Sequence, residues 1–192
     1  MIGTIAIIAG LLNVFSGGSY LVQVLKNTST PNPATWLIWL VVTTLNSATY
    51  FFVVGENYWI WFASLVTTIM VLAIFIVAAS KRKFTKIGKV EIISLIIAVA
   101  IGIFWQVSGN STLANLSLQL VFVISFIPTI YGLLYEGASE RPLPWFLASM
   151  SYVLQIVNIL LTSVSLVALG FPVVNLLGQG TIGLLAARKL EK

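Results

Sequence analysis

Histidine, cysteine and aspartate do not occur in this sequence, and each absence removes a class of chemistry. Without cysteine there are no disulfides, and without cysteine or histidine the usual zinc sites cannot be built. Without histidine there is no His-dependent triad and no imidazole proton shuttle. Charge of either sign is scarce, at 8% of the 192 residues, where a soluble domain carries about 25%. The five acids are Glu56, Glu91, Glu136, Glu140 and Glu191, all at or beyond the ends of apolar segments. An enzyme is not expected from such a chain, and neither a cofactor nor a metal site is expected.

What the chain has instead is hydrocarbon. Hydrophobic residues make up 59% of it, in stretches of about 20 residues that are each long enough to cross a bilayer. The spans are predicted at 3–25, 34–54, 58–80, 90–107, 113–134, 144–163 and 167–187. The first is read as a span rather than a cleavable signal, because Met1-Ile2-Gly3 has no positive charge before it. An all-α integral membrane protein of seven transmembrane helices follows. A six-span alternative needs one very long segment interrupted by Gly170 and Pro172.

The net charge of +5 is a matter of orientation, not of nucleic acid. With the N-terminus outside, the inner connections hold Lys26, then Lys81, Arg82, Lys83, Lys86 and Lys89, then Arg141, then Arg188, Lys189 and Lys192, which is every basic residue. Only Glu56 falls in an outer connection. Basic residues resist translocation, so this segregation predicts N-out and C-in. The run from Lys81 to Lys89 is a topology determinant that can also touch anionic lipid headgroups. Trp36, Trp39 and Trp145 fall near inner ends and Trp59, Trp61 and Trp105 near outer ends, as expected of interfacial anchors.

The chain also repeats itself. Tyr20-Leu21-Val22-Gln23-Val24 aligns with Phe126-Ile127-Pro128-Thr129-Ile130, and Pro33-Ala34-Thr35-Trp36 with Pro142-Leu143-Pro144-Trp145. Asn13 then falls on Gln119, Asn46 on Gln155, Thr49 on Asn158 and Thr67 on Asn175. Three spans are an odd number, so a fourth between the halves lets both point the same way, giving parallel repeats about an axis along the membrane normal. Residues 1–80 form the first three-helix unit, 81–112 the basic loop and linking helix, and 113–192 the second unit with a short basic tail.

This 3+1+3 plan resembles the PQ-loop and SWEET-type (MtN-saliva-like) transporter superfamily. The likeness is most specific at Pro128-Thr129-Ile130-Tyr131 with the loop through Pro142-Leu143-Pro144-Trp145, and at Phe171-Pro172-Val173-Val174-Asn175-Leu176-Leu177-Gly178. The family's Pro-Gln dipeptide is split between the halves, as Val22-Gln23 and Pro128-Thr129. The resemblance implies alternating-access transport, with sugars among the solutes.

Amides within hydrocarbon need partners, because an unmet polar group costs several kcal/mol there. Ser151, Gln155, Asn158 and Thr162 share one face of the sixth span, and Thr43, Asn46 and Tyr50 one face of the second. Two uses compete: hydrogen-bonded glue between helices, or the lining of a cavity for an uncharged polar solute. The candidate substrate-binding set is Asn13, Asn46, Thr67, Gln119, Gln155, Asn158 and Asn175, with Gln23 and Pro128 as gating candidates. Proline leaves the carbonyl of Ile124 without its helical donor and so permits a bend. Gly178, Gly180 and Gly183 are expected to serve close helix packing. With no acid or histidine inside the spans, proton coupling is not expected, and facilitated movement of a small neutral solute such as a sugar follows. Carriage of a nucleoside-like vitamin or an amino acid, or a receptor or assembly role on the same scaffold, stay open. The expected partners are a small polar solute and the lipid bilayer, with no nucleic acid. A monomer suffices, a homo-oligomer stays open, and the expected location is a prokaryotic cytoplasmic membrane.

Overall fold

A computed structural model describes residues 2–29, 31, 33–80, 89–135, 137–162 and 165–190. The described chain forms seven α-helices: α1 (Ile2–Leu25), α2 (Pro33–Val54), α3 (Tyr58–Ser80), α4 (Lys89–Ser108), α5 (Ser111–Tyr135), α6 (Pro142–Thr162) and α7 (Gly170–Leu190). Each apolar run becomes one helix, beginning and ending within three residues of its predicted span. A 3-10 turn, Leu166–Leu169, leads into α7 and is capped by Ser165 Oγ, which accepts from the Val167 N–H. α6 and α7 are thus separate helices that pack on each other. Turn residues end the runs, and Asn27 (φ 58°) and Gly55 (φ 60°) adopt the left-handed conformation after α1 and α2. Residues 81–88, most of the predicted basic connection, lie outside the described residues.

Six of these helices are long and apolar enough to cross a membrane, while the apolar part of α4, Ile92–Ser108, is shorter. The distribution of polarity fits that reading. Asn46, Asn115, Ser94, Ser125 and Ser151 are fully buried, whereas Phe52, Ile96, Leu120 and Leu177 are more than 60% exposed. Water would penalise both choices, and a hydrocarbon solvent favours both. The protein is therefore a multi-pass membrane protein.

The helices close into a ring. α1 packs on α3, α3 on α2, α2 on α5, α5 on α7, α7 on α6, and α6 back on α1. α4 lies outside the ring, against α5 and α2. Exchanging α1 with α5, α2 with α6 and α3 with α7 maps these six packed pairs onto one another. Two apolar clusters fill the ring. One surrounds Tyr50, Phe122, Tyr152 and Phe171, at the end where α2 gives way to α3. The other holds Tyr20, Trp36, Trp39, Phe126 and Trp145, at the opposite end, which carries Lys26, Arg141 and Lys189.

Candidate functional site

Trp36, Trp39 and Trp145 correct the expectation of interfacial anchoring. They are 6%, 5% and 3% exposed and face one another inside the ring. Ring centroids are 4.8 Å apart for Trp36 and Trp39, 6.1 Å for Trp39 and Trp145, and 5.6 Å for Tyr20 and Trp145. Trp39 Nε1 donates to Ser125 Oγ at 2.7 Å, joining α2 to α5. Trp145 Nε1 has no hydrogen-bond partner among the described residues. Trp59, by contrast, is 49% exposed, as an interfacial anchor should be.

These rings form one side of a cavity of about 50 Å³ between α1, α2, α3, α6 and α7. That is room for a few water molecules. Its polar side is supplied by Asn13, Thr67 and Gln179, with Ser16 and Tyr152 nearby. Asn13 Nδ2 donates to Thr67 Oγ1 at 3.0 Å, and Thr67 Oγ1 donates in turn to the Ala63 carbonyl. Glycine at position 17 lets α1 and α3 approach here, since a Cβ would sit 2.5 Å from Met70 Cε. The cavity runs from the middle of α1 and α3 toward the basic-rich end.

The seven candidate amides and hydroxyls do not share this cavity. Asn13 and Thr67 line it. Asn46 and Gln119 belong instead to a buried side-chain network nearer the other end. Asn46 Oδ1 accepts from Asn115 Nδ2 and Gln119 Nε2, both at 3.0 Å, and Asn46 Nδ2 donates to Ser64 Oγ at 3.2 Å. Gln155 Nε2 donates to Ser151 Oγ, whose hydroxyl bonds the Ala9 carbonyl of α1. Asn175 Nδ2 turns back onto the Phe171 carbonyl of its own helix. Asn158 is buried, and its Oδ1 has no partner among the described residues. Asn13 with Thr67, and Asn46 with Gln119, thus bond across helices, as polar residues in membranes commonly do, while Gln155 and Asn175 bond within their own helices.

The two gating candidates part company as well. Gln23 closes the end of α1, its carbonyl accepting from the Thr28 and Ser29 N–H groups and its Oε1 from Ser29 Oγ at 3.0 Å. Pro128 sits within α5, which runs through it, two residues beyond Phe126 of the aromatic cluster.

Asn115, Gln179, the paired indoles and Glu140 also contribute. Asn115 lies one turn before Gln119 on the same face, a spacing that was there to be read. Gln179 was passed over between the packing glycines. The indoles Trp36 and Trp145 occupy matching positions in the aligned segments Pro33-Ala34-Thr35-Trp36 and Pro142-Leu143-Pro144-Trp145. Glu140, taken as a loop residue, is 6% exposed and accepts from Tyr20 Oη at 2.9 Å.

No protein-family model, no curated protein and no solved structure matches this chain.

Proposed function

We propose that the protein is a seven-span carrier of the PQ-loop and SWEET type, which moves a small, uncharged polar solute by alternating access. The observation that carries this reading is the cavity inside the ring, lined by the indole rings together with Asn13, Thr67 and Gln179. Ligand sites have this make-up, apolar faces to stack on and a few polar groups to fix orientation. The order of helix packing supports two three-helix units, residues 1–80 and 113–192, arranged about an axis along the membrane normal. α4 serves in this reading as the seventh span that keeps both units N-out and the tail inside. A sugar's hydroxyls would pair with Asn13, Thr67 and Gln179 in a conformation that widens the cavity. The three indoles specifically favour a second solute class, flat and nucleoside-like, because aromatic faces stack in offset pairs. The location follows as a prokaryotic cytoplasmic membrane.

The test is a thermal-shift screen of the purified protein against neutral sugars, polyols, nucleosides and amino acids. A solute at about 100 times its Kd stabilises the folded state by about 2.7 kcal/mol. One class should raise the Tm of the wild type and fail to do so for Asn13→Ala and Trp145→Ala. Asn175→Ala should keep the response, because its amide is engaged within α7. Absence of any response across all classes leaves the receptor or assembly reading in its place.

A further inference from the structure

Residues 137–141, in the connection between α5 and α6, lie against α1 at the basic-rich end of the cavity. There the connection is tied to α1 and to the turn that follows α1. Tyr20 Oη donates to Glu140 Oε1 at 2.9 Å, Ser139 Oγ to the Thr28 carbonyl at 3.2 Å, and Ser16 Oγ to the Pro144 carbonyl at 2.8 Å. Glu140 is buried although it belongs to a loop, and its Oε2 has no hydrogen-bond partner among the described residues. Tyr20 both lines the cavity and holds this carboxyl. Any movement that parts α1 from the α5–α6 connection must break that bond and admit water to Glu140.

We propose that Glu140 is a proton-binding site that locks the basic-rich mouth of the cavity when it is occupied and frees it when the proton leaves. The physical reason is that the carboxyl meets two different environments. Closed, it is desolvated, and burial pushes its pKa up from 4.5 to about 7, while the hydrogen bond from Tyr20 pulls the other way. Open, it is in water and returns to the ordinary range. The closed state thus binds the proton more tightly, so it is favoured at low pH and loses that advantage as pH rises. Opening becomes easier from about pH 4.5 upward and levels off above about 7. The gap between those two values sets a ceiling of roughly 300-fold on the change in the opening equilibrium.

The other titratable groups around this carboxyl do not replace it. Lys26 at the end of α1 and Arg141 next in the chain are exposed, and Lys189 of α7 places its Nζ on the Ala138 carbonyl at 2.7 Å. Because Glu140 sits at the mouth, its proton comes and goes on the basic-rich side alone. The pH of that side therefore sets opening without carrying protons across the membrane. This goes beyond the carrier reading and is compatible with facilitated transport.

The absence of native cysteine makes the test direct. A single reporter, Val71→Cys on the cavity wall, is labelled with a membrane-impermeant maleimide between pH 5 and 8. Each rate is divided by that of the same protein unfolded at that pH, which removes the ionisation of the thiol itself. The corrected rate should rise at least tenfold to about pH 7 and then flatten. With Glu140→Gln added, it should stay at the low-pH value throughout. A flat profile without that change, or an unchanged rise with it, overturns the proposal. If Glu140→Gln does not fold, Tyr20→Phe decides. Losing a donor that favours the charged carboxyl must move the plateau to higher pH, and an unmoved plateau overturns the proposal. Because this readout needs no solute, its outcome is independent of the carrier reading.

Discussion

Gly178 and Gly180 are two residues apart on α7, and a methyl group separates their roles. A Cβ at Gly178 would run into the ring of Phe126 on α5, which is itself buried, whereas a Cβ at Gly180 would meet only Ser149 Oγ at 3.7 Å. The Phe126 ring is held by Trp39, with centroids 5.4 Å apart, so it has little freedom to retreat. Gly178→Ala should therefore cost about 1–3 kcal/mol, the usual range for overpacking, and Gly180→Ala should be nearly neutral. Thermal unfolding in detergent compares the two. Equal effects would show that the helices are not in the close contact described. Gly183 is the intermediate case, with Phe146 Cε1 at 3.0 Å from a built Cβ.

Between helices, the polar network at Asn46 shows where a sequence is readable and where it is not. That Asn46, Gln119 and Gln155 turn inward follows from hydrocarbon's intolerance of unmet amides and from helical periodicity. Which groups they meet does not follow, because a face points toward several neighbours at once. Asn46 bridges α2 to α3 through Ser64 and α2 to α5 through Asn115 and Gln119. Asn46→Ala strips partners from three buried groups and should cost about 1–3 kcal/mol, with no loss of response to any solute that binds the cavity. A thermal-shift series on this variant checks both halves of that statement, and a lost solute response would move the site toward the network. Helix boundaries were legible for the same reason that periodicity was, since each depends on a local run of residues. The burial of Glu140 was not, because it is made by a loop folding onto a helix that lies 120 residues away in sequence. The inward turn of Trp145 is likewise made by α1 and α2, not by its own flanking residues.

At the scale of the whole molecule, the count of spans decides whether the proposed three-helix units can face the same way. The apolar stretch of α4, Ile92–Ser108, extends about 26 Å as a helix, near the lower limit for crossing the hydrocarbon core. If α4 crosses, reporters fused to the two ends of the chain lie on opposite sides of the membrane, with the C-terminal one on the side of Lys26 and Arg141. Protease protection in sealed vesicles reads this out, and ends on one side would exclude both seven spans and parallel units. The closed ring also carries a temporal consequence. The seam between α1 and α6 is made by Tyr20 to Glu140, Ser16 to the Pro144 carbonyl and Ser151 to the Ala9 carbonyl, across separations of 120, 128 and 142 residues. The other seam, α2 with α5, spans only 66 to 86 residues in its side-chain bonds. At about 5–20 residues per second of synthesis, α1 waits on the order of ten seconds for its last neighbour. The joint for which α1 waits longest is the same one on which Glu140 sits, so the most delayed contact of α1 becomes the working one of the mature protein.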